Sequence, residues 1–147
     1  MTSQFLRSLS MIVVAASCSP DSQGFTRLMR AAASGEEHSV REMLDQGMDP
    51  NATDSSGTTA LGFAAQFGRA PIVAMLLERG AEVDSSDEDG LTPLMKAARM
   101  GHRETVEVLV RGGADRGLRD REGRTASDWA KSQGHEEVLR ELERVER

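Results

Sequence analysis

The chain has no tyrosine, and its 147 residues include one tryptophan, four phenylalanines and one cysteine. With aromatics at 3%, a core has to be assembled from Ala, Leu, Val and Met. So few rings also exclude the row of exposed aromatics on which single-stranded nucleic acid stacks. A cationic excess is missing too: the formal net charge is -6, whereas a duplex-binding surface concentrates Lys and Arg. One cysteine permits neither an intramolecular disulfide nor a multi-cysteine zinc site. Crossing a bilayer takes about 20 apolar residues, and the apolar run from Leu9 to Ala16 is short and interrupted by Ser10. The length suits one domain with a small appendage.

That appendage is residues 1–20, where Arg7 is the only charge and the apolar run is followed by small residues. This order reads as a secretory leader. Its end, Val14-Ala15-Ala16-Ser17-Cys18, resembles a bacterial lipobox, with Ala15 where that family favours Leu. The resemblance implies lipidation of Cys18 as the mature N-terminus, and Ser19 after it is similar to outer-membrane sorting. Lipidation would also account for an unpaired thiol in an oxidising compartment. Two other readings stay open: an ordinary leader cleaved near Ala16, with Cys18 incidental, and an uncleaved cytosolic N-terminus.

From residue 21 onward the sequence repeats every 33 residues. Thr26, Thr59, Thr92 and Thr125 form one series; Asp21, Asp54, Asp87 and Asp120 another. Gly24, Gly57, Gly90 and Gly123 keep the same spacing, as do Gly35, Gly68, Gly101 and Gly134, and Gly47, Gly80 and Gly113. Asp-x-x-Gly is turn chemistry, in which Asp bonds the backbone ahead and Gly accepts positive φ. The Thr that follows is a helix N-cap, and Pro93 suits the first helical position. The glycine nine residues after the Thr ends a short helix. A second helix follows, apolar at Val40/Met43/Leu44, Val73/Leu76/Leu77, Val106/Leu109/Val110 and Leu139/Leu142, one buried face at i, i+3, i+4. Paired alanines at 31–32, 64–65 and 97–98 allow the short helices to pack closely.

This period and these motifs resemble the ankyrin repeat family, most fully in Asp87-Glu88-Asp89-Gly90-Leu91-Thr92-Pro93-Leu94-Met95-Lys96-Ala97-Ala98, then Gly101-His102, Val106, Leu109 and Gly113-Ala114-Asp115. The resemblance covers residues 21–147 and implies an all-α solenoid: a right-handed stack of helix pairs, joined by short β-hairpin-type loops, with repeats at 21–53, 54–86, 87–119 and 120–147. The family's His after Thr-Pro-Leu is absent from every repeat. Gly62 inside a helix should cost about 1 kcal/mol relative to Ala, making the second repeat the softest. Val138, Leu139, Leu142 and Val145 make a single apolar stripe on an otherwise charged last helix, the polar-faced cap that a repeat stack needs.

No constellation suggests catalysis, a cofactor or a metal. His102 and His135 repeat the family's Gly-His and are expected roughly 8–10 Å apart at helix-packing distance, too far to share an ion easily. Glu82, Asp84, Asp87, Glu88 and Asp89 lack the ligand order of a calcium loop and read as a solvated tip. Arg111, Arg116, Arg119, Arg121 and Arg124 are interleaved with acids, which points to local ion pairs rather than phosphate binding. Asn51-Ala52-Thr53 matches a glycosylation sequon by chance. Trp129 is expected to fill the core.

The reading is a non-enzymatic, monomeric module that binds a protein through its concave face and inhibits or stabilises it. It is expected in the cell envelope on the periplasmic side, lipid-anchored at Cys18, and it binds no nucleic acid. A cytosolic adaptor is the alternative, and a small-molecule or catalytic role is the third reading. The resemblance implies that residues before the inner-helix glycines (Ser34, Phe67, Met100, Gln133) and before the capping threonines (Phe25, Thr58, Leu91, Arg124) face outward. Phe67, Leu91 and Met100 are then expected to form an apolar centre, with Glu88, Asp89, Arg99 and Arg119 as its polar rim.

Overall fold

The computed structural model describes residues 26–144. Among these the chain forms eight helices in four antiparallel pairs: α1 (Arg27–Ser34) with α2 (Glu37–Asp45), α3 (Ala60–Gln66) with α4 (Ala70–Glu78), α5 (Pro93–Met100) with α6 (Arg103–Arg111), and α7 (Ala126–Ser132) with α8 (Glu136–Arg144). The inner helices α1, α3, α5 and α7 stack in chain order, and the outer helices α2, α4, α6 and α8 stack beside them. Each pair touches only the pairs before and after it, so stability is shared between neighbours.

The start of each inner helix follows from one hydroxyl. Thr26, Thr59, Thr92 and Thr125 adopt extended backbone, and their side chains accept from the amides of Met29, Gly62, Met95 and Asp128. In α7 Asp128 answers with a bond from the Thr125 amide, at 2.9 Å, completing a reciprocal cap. Among the described residues, only glycines take positive φ, and all ten belong to the three periodic series. The threonine caps and the glycine turns therefore stand where the period places them.

The core is aliphatic. Ala31, Ala32, Ala64, Ala65, Ala97 and Ala98 are fully buried, and Leu28, Leu61 and Leu94 lie beside them. From the outer helices come Val40, Val73, Val106, Leu76, Leu109 and Leu142, with Met43, Leu77, Val110 and Leu139 partly covered. Gly62 is fixed by crowding: a Cβ there would come 2.9 Å from the Thr58 methyl. The last helix departs from a purely apolar stripe, because Glu141 is buried next to Leu142 and its carboxylate meets Arg103 at 3.6 Å. Val145 lies outside the described residues.

Loops are built from the repeated Asp. Asp54, Asp87 and Asp120 each accept from the amides two and four residues on, at 2.9–3.0 Å. One backbone bond closes each hairpin, from the Asp amide to the carbonyl of Thr58, Leu91 or Arg124. Neighbouring tips are tied by Glu88 N to Ser56 O at 3.0 Å and Arg121 N to Asp89 O at 3.1 Å.

Candidate functional site

The inner helices end in an open register. Ser34, Phe67, Met100 and Gln133 are exposed as expected. Phe67 at 46% and Met100 at 47% are the exposed large hydrophobic side chains among the described residues. They occupy the same position on neighbouring repeats, at the ends of α3 and α5, which pack against each other.

The register before the capping threonines turns inward instead. Leu91 is buried at 8% and Thr58 at 5%, so neither is the surface group the sequence pattern suggested. The cause is the Asp turn. The amide of Leu91 is held by Asp87 Oδ1 and its carbonyl by the Asp87 amide, which fixes the hairpin stem and rolls the side chain onto the core. Thr58 is held likewise by Asp54, and its hydroxyl lies 3.3 Å from Lys96 Nζ. Arg124 is half-buried, and Phe25 falls outside the described residues.

Nine residues after Asp87 and after Asp120 comes a side chain that reaches back to the turn. Lys96, buried at 5%, meets the Asp87 carboxylate at 2.9 Å. In the next repeat the same position is Trp129, whose Nε1 donates to Asp120 Oδ2 at 2.9 Å. Arg124 also reaches Asp120 Oδ2, at 3.2 Å, and its guanidinium lies 3.8 Å from the centre of the Trp129 ring. Arg99 approaches the same ring at 5.4 Å. Trp129 is thus half-buried, with its N–H committed and its ring flanked by cations, rather than simple core filling. Burial opposes the charge on Asp120, but donation from the amides of Arg124 and Glu122, the bond from Trp129 and the charge of Arg124 outweigh it and hold the carboxyl below its ordinary range. Asp128 is also lowered, first by the Thr125 amide.

Of the expected rim, Glu88, Asp89 and Arg119 are exposed and Arg99 is partly so; Arg119 Nη1 donates to Gly123 O at 2.7 Å. The tip acids divide. Asp84 accepts from the Asp115 amide at 3.0 Å and Asp87 holds Lys96, leaving Glu82, Glu88 and Asp89 in solvent. Among the described residues no cluster of His, Cys, Asp and Glu could hold a metal, and no helix is long and apolar enough to cross a membrane. Cys18 lies outside them.

The histidines are staples between repeats. His102 Nε2 pairs with Gln66 O at 2.9 Å and His135 Nε2 with Arg99 O at 3.0 Å, while Arg69 donates to Ala33 O in the same register. Asn51 is used at both ends, donating to Gly80 O and accepting from the Glu82 amide, so its amide already has a structural role.

These features define a solenoid of capped helix pairs whose polar side chains serve mainly to join one repeat to the next. A family model for ankyrin repeats (3 copies) matches residues 4–87 and 79–144, and the chain belongs to the ankyrin repeat family. Ankyrin repeats make it a protein-interaction module. No curated protein matches the chain.

Proposed function

We propose that the protein is a non-enzymatic binder that holds a partner protein on its concave, inner-helix face, centred on Phe67 and Met100. The carrying observation is that these two large apolar groups stay half-exposed at one register of adjacent repeats, while the other large apolar side chains among the described residues are buried at least in part. A small apolar centre within a polar surround is the usual form of a binding hot spot. Binding inhibits or stabilises the partner at the periplasmic side of the envelope, where a lipid on Cys18 tethers the domain.

Two measurements test the reading. Phe67→Ala combined with Met100→Ala should weaken partner capture from an envelope extract by about 2 kcal/mol, with unfolding unchanged. Capture that survives in the folded double variant overturns the assigned face. Wild type expressed in a Gram-negative host should incorporate labelled palmitate and fractionate with membranes, and Cys18→Ser should lose both; an unlabelled, freely soluble wild type removes the tether.

A further inference from the structure

Charge is sorted between the two layers of the stack. The inner helices carry five cations and one acid, Asp128. The outer helices carry ten acids and five arginines. A chain of net charge -6 therefore presents its basic side from the helices that also bear Phe67 and Met100.

The pairing of these charges sharpens the contrast. Three of the five outer-helix arginines are neutralised locally: Arg111 by Glu107, Arg140 by Glu136, Arg103 by Glu141. On the inner helices Lys96 is sealed by Asp87, and Asp128 is spent on the Thr125 cap. Among the described residues, no carboxylate forms an ion pair with Arg27, Arg99 or Lys131. Arg99 immediately precedes Met100 and rests near the Trp129 ring, so it loses less side-chain freedom on engaging a ligand than a free surface arginine would. The exposed Glu88 and Asp89 stand at the hairpin tip, Asp89 lining one hollow with Arg99, and repel carboxylates from that side.

Resting on the binding face assigned above, we propose that the partner offers it an acidic segment: one large apolar side chain seated on Phe67 and Met100, with a neighbouring carboxylate paired to Arg99. The acids at 88 and 89 set the orientation, turning the acidic side of the segment toward the inner helices. Such a site binds faster at low ionic strength and rejects basic segments by charge.

The test uses the full-length chain and a random displayed-peptide library, with enriched peptides resynthesised carrying a fluorophore and titrated by anisotropy. Enriched peptides should be acidic with at least one large apolar residue. Their affinity should fall about tenfold or more with Phe67→Ala/Met100→Ala and with Arg99→Glu, and less with Arg99→Gln. Replacing their acids by lysine should abolish binding, and added salt should weaken it. Peptides that are neutral or basic, or that bind an Arg99→Glu protein with an unchanged melting curve as well as wild type, overturn the acidic partner while sensitivity to the double alanine change keeps the face. Peptides indifferent to every one of these substitutions overturn both.

Discussion

Asp120→Asn is the most informative single change, because one carboxylate joins a turn, a ring and a cation. The Asp120 side chain is 2% exposed. Its Oδ1 accepts from the amides of Glu122 and Arg124 at 2.9 Å, and its Oδ2 from Trp129 Nε1 and Arg124 Nε. An asparagine keeps the shape but exchanges one oxygen for an NH2. Facing the amide nitrogen toward Trp129 sets donor against donor; turning it over breaks the hairpin bonds instead. Either way two bonds to a carboxylate go. Bonds to charged groups are worth about 1.5–3 kcal/mol each, but Arg124 is 37% exposed, so its share belongs with surface pairs at under about 1 kcal/mol. The sum is about 2–3 kcal/mol, a fall in melting midpoint of about 8–12 °C for a domain of this size. Circular dichroism reports the midpoint, and the single tryptophan gives a fluorescence readout beside the altered residue. Acid supplies a second check. Because the folded carboxyl is held below its ordinary value, its stabilisation is present above the unfolded value of about 3.9 and is lost as pH falls through the lowered folded value. The gap between wild type and variant should narrow over that acid range. A variant within about 0.5 kcal/mol of wild type at neutral pH, with a parallel pH profile, would refute the assignment of Asp120 as the junction of the fourth repeat.

Three further outcomes are expected. Thr105 is 1% exposed and its hydroxyl has no partner among the described residues, while Ile72 and Val138 hold the same register in the adjacent repeats; Thr105→Val should stabilise by about 1 kcal/mol in urea unfolding, and a loss of stability would mean that the hydroxyl is bonded. Gly68→Ala should cost more than Gly134→Ala, because both glycines have positive φ but a Cβ on Gly68 would come 2.6 Å from His102 Nδ1 while none of the described atoms stands within 4 Å of one on Gly134; strain alone is worth about 1 kcal/mol, and equal costs would show that the histidine staple yields freely. Ending the chain after residue 119 uncovers the α5–α6 face, including Val106 and Leu109, and should lower the unfolding midpoint or solubility; an unchanged melt would show that the fourth pair is not docked.

The sequence by itself determined whatever each repeat settles within its own span. A capping hydroxyl reaches an amide three residues on, an Asp reaches amides two and four on, and a left-handed turn requires glycine. These needs are local, so a spacing of 33 residues exposed all of them together with the paired alanines and the apolar stripes. Phe67 and Met100 were legible for the same reason, since a helix end next to a glycine turn is open whatever packs around it. Tertiary structure alone decided what crosses a repeat boundary or folds back over a hairpin. Leu91 and Thr58 turn inward because the Asp bonds rotate the stem, not because of their own polarity. Lys96 is buried because its ammonium meets Asp87 at 2.9 Å, and Trp129 serves Asp120 from the same register with different chemistry. His102 and His135 reach carbonyls 36 residues earlier, and Glu141 is drawn inside by Arg103. Each of these contacts depends on the offset between two stacked helix pairs, and that offset is a property of packing, not of any stretch of chain short enough to show a pattern.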